Sequence, residues 1–463
     1  MNQFILSMDE PETLTENGMP TNSTSESEVL NLFYKAGGMR AESDSAVQSV
    51  FASAYRESRA LALRCLFHIR NVRGGMGERR FFRLGLGYLA QVDPELTLRL
   101  VHAGLVEKYG RWDDLLTIAN VPGVLGYIEN ALAHGNGLCA KWMPRETGSD
   151  KATAKKLRLA MGISPKEYRH MLVGLSKTVE QAMCAKEWSA IEYSAVPSRA
   201  AMIYRKAFIR HDEERFAKHI KSGKVKSGTL YPHEIVKSIA ETSGVENDYL
   251  EAAWKNLPDY CGDVDFIPVC DVSGSMSGDP ILVSVGLGIY LAERNKGAFK
   301  DRLITFSKTP RWYHLSGTLT DRVRGVSNMD WGTNTNIEAV FRMILDVALK
   351  NEVAPGDMPQ NIIILSDMQF DQCAVANNKD FANMVNDMYK LAGYTMPKIV
   401  FWNLRTSSGV PAKKDEKGAI LVSGFSPSAM KAVLSGSDIP EPPTPYQAMM
   451  AVLEQYAEID KYL

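Results

Sequence analysis

At 463 residues the chain is longer than one ordinary core accommodates, and at about 100 to 200 residues per domain it is expected to divide into two or three. Its 45% hydrophobic and 23% charged residues match an average globular protein and exclude collagen-like, wholly disordered and disulfide-scaffold classes. With 53 Lys+Arg against 54 Asp+Glu the formal charge is −1, so any contact with nucleic acid has to be made by a local basic patch.

Residues 1–28 carry six acidic residues and no Lys or Arg, together with Pro11, Pro20 and the polar run 21–27. Such a segment lacks the apolar periodicity of a core and is expected to be an acidic, extended arm. Its first seven residues are briefly apolar, but they have no basic flank and run into Asp9 and Glu10, which speaks against a signal peptide. From Val29 to residue 262 the pattern is helical, with Val47, Val50, Phe51, Ala54, Tyr55 and Leu61 recurring at three- and four-residue spacings. Asp93-Pro94 and Ser164-Pro165 each place a capping side chain before a proline at the first helical position, and Ser164 with Glu167 makes a capping box. No clean repeat is legible, so the expected α-helical region is HEAT-like with irregular repeats rather than a regular solenoid.

After Cys261-Gly262 the texture changes. Residues 266–270, 303–306, 362–365 and 399–402 are near-continuous apolar strands, and 281–296, 337–349 and 381–391 read as the helices between them. This alternation predicts a doubly wound α/β domain over 263–463, whose ligands bind at the carboxyl ends of the strands. Pro268, inside the first strand, lacks a ladder donor and predicts a bulge or a shifted strand. The longest apolar run, 281–292, is about half of the ~20 residues of a membrane span. Six cysteines without a CxxC pair fit a reducing cytoplasm better than a disulfide framework or a zinc finger.

The first strand of that domain ends in Asp271-Val272-Ser273-Gly274-Ser275, which gathers a carboxylate and two hydroxyls on one turn that Gly274 is expected to permit, with Asp279-Pro280 capping the next helix. The cluster Gly332-Thr333-Asn334-Thr335 and the pair Ser366-Asp367 reach the same sheet edge. Together they offer oxygen donors only, a set that selects a hard cation such as Mg2+ or Mn2+; the alternative is a polar turn with ordinary helix caps. Thr335 with Glu338 forms a capping box, which leaves Thr333 as the better ligand. The order DxSxS, Thr, Asp resembles the metal-ion-dependent adhesion site of von Willebrand factor A-type domains. That resemblance implies metal ligands at Asp271, Ser273, Ser275, Thr333 and Asp367, with the aspartates acting directly or through water.

No catalytic machinery accompanies this site. A haloacid-dehalogenase-like phosphatase requires a second carboxylate where the chain has Ser273, His233-Glu234 lacks the second histidine of a zinc protease helix, and Met276 stands where a nucleophile elbow needs serine. A cation held by hydroxyls and water-bridged carboxylates instead keeps one position open for an incoming Asp, Glu or phosphate oxygen.

Residues 141–230 hold 19 Lys+Arg and 9 Asp+Glu, a strong local surplus in a chain of charge −1. Lys151, Lys155, Lys156, Arg158, Arg205, Lys206, Arg210 and Arg215 fall at spacings that align on helix faces. Tyr168, Trp188, Tyr193 and Tyr204 are available either for stacking on unpaired bases or for the core. A second cluster puts Arg73, Arg79 and Arg80 beside Gly74, Gly75 and Gly77 ahead of a helix starting near Glu78. It suits either a phosphate at a helix N-terminus or a plain helix-helix turn. In Tyr109-Gly110-Arg111-Trp112-Asp113-Asp114, Trp112 is expected to pack and Asp113 to cap.

The phrases at 14–18, 73–80, 109–115, 140–142, 196–199, 231–234, 271–276 and 366–371 resemble the family known as domain of unknown function 2828, over nearly the whole chain. More distantly, a helical region followed by an A-type domain is similar to the Ro autoantigen, whose basic ring of helices binds structured small RNAs and RNA ends. The resemblance implies a non-enzymatic RNA-binding protein. The open metal position implies the alternative, an adaptor that captures an acidic side chain of a protein partner without nucleic acid.

Overall fold

The computed structural model describes residues 13–239, 242–306, 310–327, 335–371, 381–406, 409–434 and 442–463. An α-helical region precedes a six-stranded mixed sheet with helices between its strands. The sheet strands are β3 (Phe266–Asp271), β4 (Arg302–Phe306), β5 (Arg311–His314), β6 (Asn361–Ser366), β7 (Lys398–Asn403) and β8 (Ala419–Ser423); β1 (Thr13–Leu14) and β2 (Pro20–Thr21) form a separate hairpin. Sheet order is β5-β4-β3-β6-β7-β8, parallel throughout except for the antiparallel edge strand β5. The four predicted strands are therefore the four central ones.

β3, β6 and β8 are buried at every position, as strands covered on both faces must be. Pro268 sits in β3 opposite Ile363 of β6, and the ladder to β4 begins only at Val269, so no bulge or shift is needed to accommodate it. The helix Asp279–Arg294 leads from β3 to β4 on one side, while β6 lies on the other side of β3. Strand order thus reverses between β3 and β6, and Asp271 and Ser366 are the last residues of those two strands. This is the place in an open α/β sheet where a crevice forms for a ligand.

Helix starts follow the capping chemistry. Asp93 accepts from the Leu96 amide at 3.0 Å, and Ser164 and Glu167 make the reciprocal box. Two other caps differ from expectation. Gly278, with φ +92°, precedes the helix Asp279–Arg294, and Asp279 pairs with Lys237 at 3.4 Å instead of capping. At the helix Ile337–Lys350 the capping oxygen is that of Asn336, because the Thr335 hydroxyl is committed to the loop after β6.

The helical region and the sheet share one continuous core. The helix Glu28–Lys35, started by Ser27, is buried on nearly all sides and lies against β8. Ser423 donates to the Phe33 carbonyl at 2.9 Å and Asn403 to the Tyr34 carbonyl at 3.3 Å, fixing that helix to the ends of β8 and β7. A Cβ at Gly37 would stand 2.3 Å from the Gly424 nitrogen, so only glycine permits the contact. The acidic segment expected as an extended arm is, from residue 13 onward, a docked hairpin. Its polar side chains and amides bond to a loop of the α/β domain, an attachment that needs no apolar periodicity. No described helix is long and apolar enough to cross a membrane.

Candidate functional site

At the switch point the Asp271 carboxylate is fully buried, accepting from the Ser366 hydroxyl at 2.5 Å and from the Ser273 amide at 2.9 Å. Ser273 and Ser275 place their hydroxyl oxygens 3.0 Å apart on the turn that follows. Asp367, the next residue after β6, is buried as well and accepts from the Gln369 amide at 3.2 Å. Four of the five sequence-predicted ligands, Asp271, Ser273, Ser275 and Asp367, are therefore brought together. Thr333 lies outside the described residues.

The electrostatics are those of anions crowded out of water. Burial, and next the Asp367 carboxylate, push the Asp271 carboxyl up to about 6. Burial also raises Asp367, against the pull of Ser275, the Gln369 amide and the Arg405 guanidinium. Tyr34 adds a fully buried hydroxyl that has no hydrogen-bond partner among the described residues. Burial, then the charge of Asp367, raise its pKa well above that of a free phenol. Two buried carboxylates and two hydroxyls form a donor set that suits a hard divalent ion and its waters. Among the described residues no three His, Cys, Asp or Glu side chains converge on one point, so any ion here depends on hydroxyl and water oxygens.

Gly274 does not carry the role expected of it. It has no positive φ and open space where a Cβ would be, and the left-handed residue of the turn is Gly278. The left-handed residue on the other loop is Met368, with φ +63°, wedged between Asp367 and Gln369. Sequence reasoning missed the supports of the site: Tyr34, Gln369, Asp371 and Asn17, which come from three separate stretches of chain.

The basic residues are more dispersed in role. Arg158 pairs with Glu146 at 2.8 Å, Arg205 with Glu246 at 3.0 Å, and Arg215 with Asp212 at 2.8 Å as well as with two carbonyls. Lys206 is 3.9 Å from Glu246, and Lys156 reaches Asn120 at 3.3 Å. Arg80 is tied to Asp44 and to the Glu42 carbonyl. Lys151, Lys155 and Arg210 are exposed, as are Arg73 and Arg79. Tyr168 and Tyr193 are core residues and Trp188 stacks on His211 at 4.4 Å, so packing rather than base stacking employs these rings. The glycines between Arg73 and Arg79 are not a free phosphate loop either. Ser428 donates to the Gly75 carbonyl at 2.8 Å and Tyr231 to that of Met76 at 3.2 Å, burying the turn between the two parts of the chain.

Comparison with known proteins places these features in a family. Residues 15–121 and 145–259 match the family described as domain of unknown function DUF2828, and residues 265–458 match domain of unknown function DUF7788. The chain belongs to the DUF2828 family. The two matched regions meet between residues 259 and 265, just ahead of β3. A relative in Acanthamoeba polyphaga mimivirus, named uncharacterized protein L728, is 28% identical over 96% of this chain and 87% of its own length. The family's match takes in the hairpin from residue 15, and the second match takes in all four of the converging residues described above.

Proposed function

We propose that this chain is a non-enzymatic binding protein whose α/β domain, of von Willebrand factor A type, holds Mg2+ or Mn2+ and uses it to capture a carboxylate of a protein partner. The observation that carries this reading is the convergence of Asp271, Ser273, Ser275 and Asp367 at the sheet's switch point. Asp271 and Asp367 supply negative charge, and the serine hydroxyls supply neutral oxygens. A site with so few charged donors leaves the ion electrophilic toward an incoming carboxylate. Calorimetry should show Mn2+ binding to the wild type, weakened at least about 10-fold in Asp271→Asn and in Ser273→Ala, since losing even an outer support of a metal site costs about 10- to 100-fold. Partner capture in a pull-down should vanish with chelator and in both variants; capture that survives all three treatments overturns the reading.

RNA binding by a HEAT-like, Ro-like helical region is the second reading, favoured by the exposed Lys151, Lys155 and Arg210 within the basic stretch. It rests on charge alone, since the aromatics are in use elsewhere. RNA affinity measured by anisotropy should then fall steeply with salt, and Lys151→Glu, Lys155→Glu and Arg210→Glu combined should reduce both the affinity and the salt slope. Affinity that is absent at low salt, or indifferent to the triple change, removes it.

A further inference from the structure

The N-terminal hairpin touches the α/β domain at the loop that carries Asp367, where the buried Met19 lines one cavity with Met368 and Phe370 and polar groups make the directed bonds. Thr15 donates its hydroxyl to the Phe370 carbonyl at 2.7 Å, and the Glu16 amide donates to the Gln369 side-chain oxygen at 2.7 Å. Asn17 does more than dock. Its side-chain amide donates to the Gln369 carbonyl at 2.7 Å and to the Thr335 hydroxyl at 3.2 Å, joining the loop after β6 to the turn that opens the helix Ile337–Lys350. Across that junction Thr335 donates its hydroxyl to the Gln369 carbonyl at 2.6 Å and its amide to Asp371 at 3.0 Å, while Gly18 bridges to Asp371. The turn at Gly18, with φ +86°, presents Asn17 to both loops.

These bonds converge on Gln369, two residues after a proposed ligand and one after the left-handed Met368. A non-glycine residue in that conformation costs about 1–3 kcal/mol and persists only where its surroundings hold it. The hairpin supplies part of that hold.

We propose that Asn17 is a positioning residue of the cation site, bridging the Asp367 loop to the Thr335 turn so that ion binding and hairpin docking support each other. The inference rests on the cation reading above. If an ion favours the loop geometry that the hairpin also favours, each must strengthen the other by the same free energy. The exposed N-terminal hairpin then senses the occupancy of a site it does not enter.

The test uses the full chain and Mn2+ alone. Asn17→Ala should weaken Mn2+ binding about tenfold by calorimetry, the lower end of the effect of removing an outer support. In the wild type, saturating Mn2+ should slow hydrogen exchange at the Glu16 and Met19 amides by a similar factor, and by less in the variant. Thr15→Val, which removes the bond to Phe370, should act in the same direction and decides the matter if Asn17→Ala does not fold. A merely structural role would lower the melting temperature in chelator and leave Mn2+ affinity and the Mn2+-dependent exchange unchanged. That outcome, with Mn2+ still bound by the wild type, overturns the positioning role and leaves the cation site standing. A wild type that takes up no Mn2+ overturns both.

Discussion

Asp114→Ala should lower the free energy of unfolding by about 3–5 kcal/mol, the scale on which removing one partner leaves a buried charge uncompensated. Asp114 is fully buried, and each oxygen is committed: Oδ2 accepts from Arg70 Nε at 2.7 Å and from the Arg111 amide at 3.0 Å, and Oδ1 from Arg83 Nε at 2.7 Å. Arg70 is itself buried, so truncation strands a guanidinium that water reaches poorly. Asp114→Asn keeps the volume and one acceptor and should cost about half as much, since charged hydrogen bonds contribute roughly 1.5–3 kcal/mol. The pair Arg70→Met with Asp114→Leu should recover most of the loss, because an apolar replacement removes both desolvation penalties at once. Urea denaturation with an unchanged m-value reads all three. A loss below about 1 kcal/mol in Asp114→Ala would mean that solvent screens the cluster as at a surface.

That cluster also marks how far sequence reasoning reaches. In the phrase 109–115 an acidic cap after a helix break was legible, and Trp112 does pack, stacking on Tyr127 at 5.7 Å. The cap, however, is Asp114, and Asp113 instead pairs with Arg111 at 2.8 Å. One position of register decides which carboxylate is buried, and local pattern does not carry it. The central strands were legible because burial on both faces writes a continuous apolar run. β5 was not, since its Arg-Trp-Tyr-His is a largely exposed edge. β8 has the apolar run, but no described helix separates it from β7. Part of its cover comes from the helix Glu28–Lys35, nearly four hundred residues earlier in the chain.

The meeting of Asp271, Ser273, Ser275 and Asp367 was legible for a different reason: strand ends fix where chemistry must occur, and a DxSxS turn is short enough to read. Their supports come from remote segments, which periodicity cannot link. One signal was nevertheless present. The phrases 14–18 and 366–371 turn out to touch through Thr15, Glu16, Asn17 and Gly18, and 196–199 meets 231–234 through the Arg199 and Glu234 ion pair. Phrases that identify a family are here the places where distant parts of the chain hold each other.

Two histidines that are buried neutral should make the protein lose stability as pH falls below about 6.5. His68 is held down to about 3 by burial and then by Lys431, in a site where it stacks on Phe33 at 5.3 Å and meets the Tyr456 hydroxyl at 3.3 Å. His233 is held down to about 3 by burial and then by Arg40, against the opposing pull of Asp279. Its Nδ1 has no hydrogen-bond partner among the described residues. Both values lie below that of a solvated imidazole, so below about pH 6.5 the unfolded chain takes up protons that the folded chain refuses. The contribution to stability is complete above that pH and is lost as pH falls toward 3, at about 1.4 kcal/mol per pH unit for each histidine. Between pH 6 and 5 the two histidines together should contribute a slope approaching about 2.7 kcal/mol per unit, opposed by the Asp271 carboxyl, which is held up to about 6 and takes up its proton in the folded chain over the same range. His68→Asn, which keeps a polar atom near the position of Nδ1, should lower the slope by about 1.4 kcal/mol per unit while leaving the m-value unchanged, and His68→Asn with His233→Asn should lower it by about 2.7 kcal/mol per unit. Urea midpoints at pH 7, 6 and 5 measure the effect. A slope that the two substitutions leave unchanged would show that both imidazoles take up protons in the folded state, which means that water reaches the junction where the Phe33 helix meets the sheet.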